Sequence, residues 1–325
     1  LVTGVQTCAL PIYSFLLSAS FNTLHTHKIN RIKNSIMDYQ FHKIGVIGKF
    51  GAPTVGETLL SLTGCLVDKQ LEVFLDKETA ERHPENRLPV VTREEMGEQC
   101  DLAIVIGGDG SFLNAARSLA RFDIPMLGIN LGRLGFLTDI APNQIDTYLE
   151  EVLSGEFTEE RRCLLQSHIL RDGESLAEGY ALNDVVVHKL DIARMIEFET
   201  HINGEFVNRQ RSDGLIISTP TGSTAYALSS GGPILAPTLK AISLVPICPH
   251  TLSNRPIVVP GNSHIEVTIM GPSGHAQVTR DGQSNQALVA GDKILVERLE
   301  HHIRLIHPSN YSPFRVLRQK LGWSG

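Results

Sequence analysis

The run Ala103-Ile104-Val105-Ile106-Gly107-Gly108-Asp109-Gly110-Ser111 sets a short apolar stretch against three glycines and one carboxylate. An apolar, β-branched run bounded by glycine reads as a buried parallel strand. Leu113, Ala116, Leu119 and Ala120 then recur at helical spacing. Asp109 is thereby placed at the carboxyl end of a strand, where open α/β sheets bind their ligands. The first turn of the following helix offers unpaired N–H groups that favour an anionic phosphate. Gly107, Gly108 and Gly110 allow a backbone to approach that phosphate without a Cβ in the way. A carboxylate here repels phosphate, so it suits a base that takes a proton from an attacking hydroxyl, or a metal ligand. The bland alternative is Asp109 as the N-cap of the helix.

From Lys43 onward strands and helices alternate: Ile44 to Ile47, a helical stretch through Leu59, Leu60, Leu66 and Val67, Leu71 to Leu75, the strand before Asp109 with its helix, and Pro125 to Asn130. That rhythm predicts a parallel sheet with helices on its faces. Pro142 to Gly155, with Ile145, Leu149 and Val152 on one face, reads as a helix leaving this domain. After about residue 160 the period changes to two, through Leu165 to Leu170, Ile196 to Ile202, Ile265 to Ile269 and Ile294 to Val296, which predicts an antiparallel sandwich. The expected fold is an α/β N-terminal domain with a parallel sheet (37–141) and an all-β sandwich C-terminal domain (142–305). A C-terminal helix (306–325), spaced through Phe314, Leu317 and Leu321, is expected to return to the first domain. Residues 1–36 lack a periodic apolar face and are expected to be a disordered or artefactual leader, with a cleaved targeting peptide as the alternative.

A net charge of −6 supplies no basic field for nucleic acid, and no run approaches the length of a membrane-spanning helix. The five cysteines are scattered without zinc spacing, which suits a reducing cytoplasm. The pairs His25 with His27 and His301 with His302 have no acidic or Cys ligands nearby and read as exposed residues. Small molecules are the natural partners.

A second constellation runs from Ser212 to Tyr226, Ser-Asp-Gly-Leu-Ile-Ile-Ser-Thr-Pro-Thr-Gly-Ser-Thr-Ala-Tyr. It reads as a strand, a turn dense in hydroxyls, and a helical segment ending at Ser229-Ser230-Gly231-Gly232-Pro233. Hydroxyls and free N–H groups at a helix start suit ribose, amide and phosphate groups, and equally suit an ordinary Ser/Thr cap. Asn183-Asp184 before the apolar Val185-Val186-Val187 places polar groups at another strand edge: Asn can read an adenine edge and Asp can accept from ribose hydroxyls, or the pair can form an Asx turn.

In this order and at these separations, Gly107 to Gly110, Gly132-Arg133-Leu134-Gly135-Phe136-Leu137, Asn183-Asp184 and Asp213 to Tyr226 resemble the NAD kinases, more closely the proteobacterial type. The resemblance runs from about Met37 to Trp323. It implies transfer of the γ-phosphoryl group of ATP to the adenosine-ribose 2′-hydroxyl of NAD, in a homodimer or homotetramer, with a divalent metal cation, Mg2+. It assigns the general base to Asp109, with Gly110 beside the substrate. Its NAD contacts fall on Asn183, Asp184, Arg194, Arg211, Asp213, Thr224, Ala225, Tyr226, Ala227, Leu228, Ser229 and Gln283, with Phe136 as a pocket wall. Many relatives carry Asn-Glu where this chain has Asn183-Asp184, so the acid here is shorter.

The chemistry agrees with so sparse a catalytic set, because phosphoryl transfer needs positioning and charge stabilisation more than covalent help. No Gly-x-x-x-x-Gly-Lys-Ser/Thr loop is present, so the donor nucleotide is not held in P-loop fashion. Two rivals stand beside this reading. Lipid and sugar kinases share the Gly-Gly-Asp-Gly turn but are not expected to carry the Asp213 to Tyr226 block. A non-catalytic NAD-binding regulator would have no use for Asp109.

Overall fold

A computed structural model of the chain describes residues 39–48, 54–132, 134–191, 194–270 and 276–323. The expected leader at 1–36, with His25 and His27, and Arg133 of the Gly132 to Leu137 motif lie outside the described residues. From Phe41 onward the chain forms one compact unit.

The first half alternates as its periodicities require: β1 Lys43–Gly48, α1 Thr54–Asp68, β2 Glu72–Asp76, α2 Lys77–Ala80, β3 Val90–Val91, α3 Arg93–Gln99, β4 Leu102–Gly107, α4 Asp109–Ser118 and β5 Pro125–Asn130. These strands pair in parallel in the order β3-β2-β1-β4-β5. Every residue of β4 and β5 is buried, the signature of strands covered on both faces. On α4, Phe112, Leu113, Ala115 and Ala116 pack into that core with Val105 and Met126. A turn of 3-10 helix at Pro142–Gln144 then leads into α5 Ile145–Leu153, which buries Ile145, Leu149 and Val152.

The second half contains β6 Phe157–Arg171, β7 Glu174–Ala181, β8 Asp184–Lys189, β9 Ile196–Ile202, β10 Glu205–Ser212, β11 Gly214–Ser218, α6 Tyr226–Ser229, β12 Ala241–Ile247, β13 Ile257–Pro260, β14 Ile265–Ile269, β15 Ala276–Arg280, β16 Ser284–Leu288, β17 Lys293–Pro308 and α7 Pro313–Leu321. One antiparallel sheet has the order β13-β12-β11-β8-β15-β16. It packs through Val185, Val187, Leu215, Ile217 and Val278 on Leu165, Phe198, Val267, Ile294 and Val296 of the other sheet. The α/β half and the β-sandwich half are both present as expected.

The two halves are less separate than the sequence suggests. The long strand β17 pairs antiparallel with β14 and β6, and then in parallel with β5, so one sheet runs through both halves. A boundary at 305/306 therefore falls inside β17. Only Pro313–Leu321 of the expected C-terminal helix is helical, with Ser312 as its N-cap and Gly322 left-handed at its end. Its buried face is Val316; Phe314 is exposed. The helix expected after Thr221 shrinks to a 3-10 turn at Gly222–Thr224 followed by α6. Ser223 and Thr224 donate to the carbonyls of Pro220 and Thr221, an alternative that competes with helix propagation.

Candidate active site

The N-cap of α4 is Gly108, with no side-chain cap bond, so Asp109 is the first helical residue and not the cap. Its carboxylate turns to the segment after β5. Phe136 N donates to Oδ2 at 2.9 Å, Leu137 N to Oδ1 at 3.0 Å, and Thr138 Oγ1 to Oδ1 at 3.3 Å. Hydrogen bonds to a carboxylate are the strong ones, and three of them fix it: Oδ1 accepts two, while Oδ2 accepts one and keeps acceptor capacity for a proton. Gly135 makes this possible: a Cβ there would lie 2.1 Å from Asp109 Oδ1. Thr138 is a site residue that the motif reading missed, because its neighbour is 29 residues away.

Two clefts adjoin the site. One, of about 410 Å³, is lined by Gly48, Arg93, Gly108, Gly110, Ser111, Asn114 and Gln283, at the carboxyl ends of β1 and β4. The other, of about 500 Å³, is lined by Asn183, Asp184, His188, Ala225, Tyr226, Thr279, Asp281 and Gly282. The β15–β16 hairpin is shared between them, Gln283 facing the first and Asp281 with Gly282 the second. Asp281 and Gly282 both have positive φ, the conformation a two-residue Asp-Gly hairpin turn needs.

That hairpin is bonded to the Gly-Gly-Asp-Gly turn. Arg117 on α4 donates to Asp281 Oδ2 at 2.9 Å and to Gln283 Oε1 at 2.6 Å, and Gln283 Nε2 donates to Gly110 O at 2.9 Å. Asp281, with no side-chain exposure, also accepts from the backbone N–H of Leu182, Asn183 and Asp184. Arg117 and Asp281 are absent from the sequence-based set. The Asp-Gly pair signals the turn, but nothing local signals a partner 164 residues away.

Asp184 is 4% exposed, and no donor among the described residues reaches its carboxyl. Burial first, then the neighbouring Asp281 carboxylate, pushes its pKa up to about 7. His188, in the same cleft, is held below the ordinary imidazole range by burial.

Several hydroxyls of the hydroxyl-rich block bond within the fold. Thr219 Oγ1 donates to Leu182 O at 2.6 Å, Ser218 Oγ to Thr219 O at 3.0 Å, and Ser223 Oγ accepts from Leu235 N at 3.0 Å. Gly222 packs so tightly that a Cβ would stand 2.1 Å from Asn183 O, which seats the block against the Asn183-Asp184 edge. Ala225 and Tyr226 face the cleft, whereas Ala227 is buried with Val186, Ile216, Val245 and Ile247. Leu228 is half-buried and Ser229 exposed. Phe136 and Thr224 line a third, narrow cavity with Arg162, Thr221, Tyr311 and Val316. Asp213 pairs with Lys189 at 2.7 Å, and Arg194 and Arg211 are exposed; none of the three lines either of the two larger clefts.

Residues 44–157 match the ATP-NAD kinase N-terminal domain, and residues 182–308 match the ATP-NAD kinase C-terminal domain. The chain belongs to the NAD kinase family. Among its relatives, the NAD kinase of Teredinibacter turnerae is 52% identical over 285 residues, covering 87% of this chain and 97% of that protein. The NAD kinase of Hahella chejuensis is 50% identical over 286 residues, covering 88% and 97%. Family members of known structure superpose on the whole unit. A yeast NADH kinase complexed with NADH gives a TM-score of 0.82 at 26% identity, covering 87% of this chain and 88% of that one. An Archaeoglobus fulgidus NAD kinase in complex with ATP gives 0.68 at 28% identity, covering 87% and 100%.

Proposed function

We propose that the chain is an NAD kinase that transfers the γ-phosphoryl group of ATP to the 2′-hydroxyl of the adenosine ribose of NAD, giving NADP and ADP. The observation that carries this reading is the Asp109 carboxylate, held by three donors at the start of α4 and followed by Gly110, which lines one cleft and is bonded to the hairpin that lines both.

ATP is assigned to the cleft at Gly108 to Ser111, where the α4 N-terminus favours phosphate and Ser111 and Asn114 can donate. NAD is assigned to the cleft of Asn183, Asp184 and Tyr226. Asp109 takes the 2′-hydroxyl proton as that oxygen bonds to the γ-phosphorus, and the bond from the γ-phosphorus to the bridging oxygen breaks to release ADP. Asp184, carrying a proton near neutral pH, can donate to the ligand as well as accept. Of the other residues in the proposed NAD set, Ala225 and Tyr226 line that cleft, Gly110 and Gln283 line the neighbouring one, and Phe136, Arg194, Arg211, Asp213, Thr224 and Ala227 to Ser229 lie outside both. Mg2+ belongs to this reading as a companion of ATP. Among the described residues no group of three His, Cys, Asp or Glu side chains is placed to hold a metal, so the triphosphate itself would supply its ligands.

Free Cys65, Cys100, Cys163 and Cys248 suit a cytoplasmic setting, and exposed Phe206 and Val207 on β10 suit a homodimer or homotetramer. Incubation with ATP, Mg2+ and NAD, with NADP read by an NADP-specific dehydrogenase, tests the reaction. NAD binding without NADP formation would favour the regulator, and label passing from ATP to a lipid or sugar instead of NAD would favour the rival kinases.

A further inference from the structure

A charged cluster lies behind the catalytic segment. His307, near the end of β17, is 1% exposed and stacks on Tyr311 with ring centroids 3.7 Å apart and planes 7° from parallel. Its Nδ1 lies 3.1 Å from Asp139 Oδ2, and its Nε2 lies 3.6 Å from Glu160 Oε2. Arg162 pairs with the same Glu160 oxygen. Arg162 also donates to Thr221 Oγ1 at 3.3 Å and to the Tyr311 hydroxyl at 3.5 Å. The groups facing the imidazole are thus Asp139 from the segment after β5, Glu160 and Arg162 from β6, and Tyr311 from the turn before α7. Two carboxylates against one guanidinium leave one negative charge uncompensated, and a buried uncompensated charge is costly. A protonated imidazole closes that balance.

The position of the cluster gives it a task. Asp139 directly follows Phe136, Leu137 and Thr138, the three residues whose donors hold the Asp109 carboxylate. Thr221 adjoins Gly222, which is packed on Asn183 O. The segment from 135 to 139 is therefore pinned at one end by Asp109 and at the other by His307. Resting on the reading of Asp109 as the base, we propose that the His307 imidazolium is a positioning group for phosphoryl transfer: its ion pair with Asp139 fixes the Phe136 to Thr138 donors, and through them the Asp109 carboxylate.

Burial opposes the imidazolium, but the hydrogen bond to Asp139 and the nearby charges of Asp139 and Glu160 outweigh it and raise the His307 pKa above the ordinary imidazole value. Burial likewise opposes the Glu160 carboxylate, and His307 with Arg162 overcomes this and holds it at about 2. Glu160 therefore stays ionised across the working range, and the titrating member above pH 6.5 is His307. With its folded value raised, the device is complete below the ordinary imidazole range and is lost as pH rises through the raised value.

The test combines NMR titration of 13C-labelled histidine with steady-state kinetics across pH on the full chain, the His307 resonance being assigned by its loss in His307→Gln. The wild type should show a His307 midpoint above 6.5 and a kcat that falls along an alkaline limb with that midpoint, while KM for NAD stays within about twofold. Asp139→Asn should move the His307 midpoint down and, because it removes the ion pair itself, lower kcat across the pH range with KM for NAD little changed. His307→Gln should lower kcat by roughly tenfold or more and lose the limb, since a displacement of about an ångström at the reacting group has effects of that order or larger. A wild type that forms no NADP overturns the reaction and the proposal together. An active wild type whose kcat limb ignores the His307 midpoint, or an Asp139→Asn variant that leaves midpoint and kcat in place, overturns the proposal alone. Asp139→Asn keeps the proposal testable if His307→Gln does not fold.

Discussion

Replacing Asp184 with Asn should stabilise the ligand-free protein, and the gain should depend on pH in a calculable way. The carboxyl titrates near 3.8 when free and near 7 in the fold, so the folded state binds its proton more tightly. The protein is then most favoured below pH 3.8, and stability is lost progressively as pH rises to about 7. Integrated over that interval, the burial of the ionised form corresponds to about 4 kcal/mol at pH 7.5, but only to about 2 kcal/mol at pH 5. Asn has the same shape and no charge to bury, so it removes that penalty and leaves intact the backbone N–H bond from residue 184 to Asp281. For a chain of this size each kcal/mol moves the melting temperature by about 1.5 to 2 °C. Thermal melts of wild type and Asp184→Asn, followed by circular dichroism without ligands, should differ by roughly 7 °C at pH 7.5 and by about 3 °C at pH 5. An equal shift at both pH values, or a less stable Asn variant at pH 7.5, would refute the argument that Asp184 is buried against its own charge.

The other expectations concern catalysis and the link between clefts. Asp109→Asn should lower kcat by roughly 10² to 10⁴ while NAD affinity stays within a few-fold, the usual contribution of a positioned base; near wild-type turnover would remove Asp109 from the chemistry. Gly135→Ala puts a methyl group 2.1 Å from Asp109 Oδ1, so kcat should fall with KM for NAD little changed, and unaltered kcat would show that the carboxylate can move freely. Arg117→Ala leaves the buried Asp281 carboxylate without its cation and should cost about 3 kcal/mol in urea unfolding; a loss below about 1 kcal/mol would show the pair to be incidental. Asp184→Ala, which removes the proposed NAD contact, should raise KM for NAD about five- to a hundredfold with kcat changed less, and a collapse of kcat at constant KM would give Asp184 a share in the chemical step.

What was legible in the sequence follows physical range. The strand before Asp109 and the helix after it are written in local periodicity, and both stand where β4 and α4 stand. Ile196–Ile202 and Ile265–Ile269 likewise carry their period of two openly and form β9 and β14. The continuation of β17 past Val296 was not legible, because Glu297 to His302 interrupts the alternation with charge, and the strand persists through a register shift against β6 between Arg298 and His302. The hydroxyl-rich block looks like a ligand site because Ser and Thr can bond to ligands. Within the fold, Ser223 donates to the Pro220 carbonyl three residues back, a local turn bond, whereas Thr219 donates to Leu182 O, which a one-dimensional reading cannot place nearby.

The same limit governs the carboxylates, and the structure separates their roles by the donors each one meets. Asp281 accepts from three backbone N–H groups and Arg117, an arrangement that binds the Asn183-Asp184 edge to α4. Asp109 accepts from two N–H groups and one hydroxyl, which orients it while leaving one lone-pair direction open on Oδ2, as the proposed base requires. Asp184 meets no protein donor among the described residues and has Asp281 as its charged neighbour. A buried polar group without a partner is destabilising until something supplies one. Asp281 is thus committed to the fold and Asp109 is oriented by its donors, whereas the described residues leave the Asp184 carboxyl without one. On the proposed reading, a ligand in that cleft recovers the energy lost there by presenting polar atoms to the Asn183-Asp184 edge.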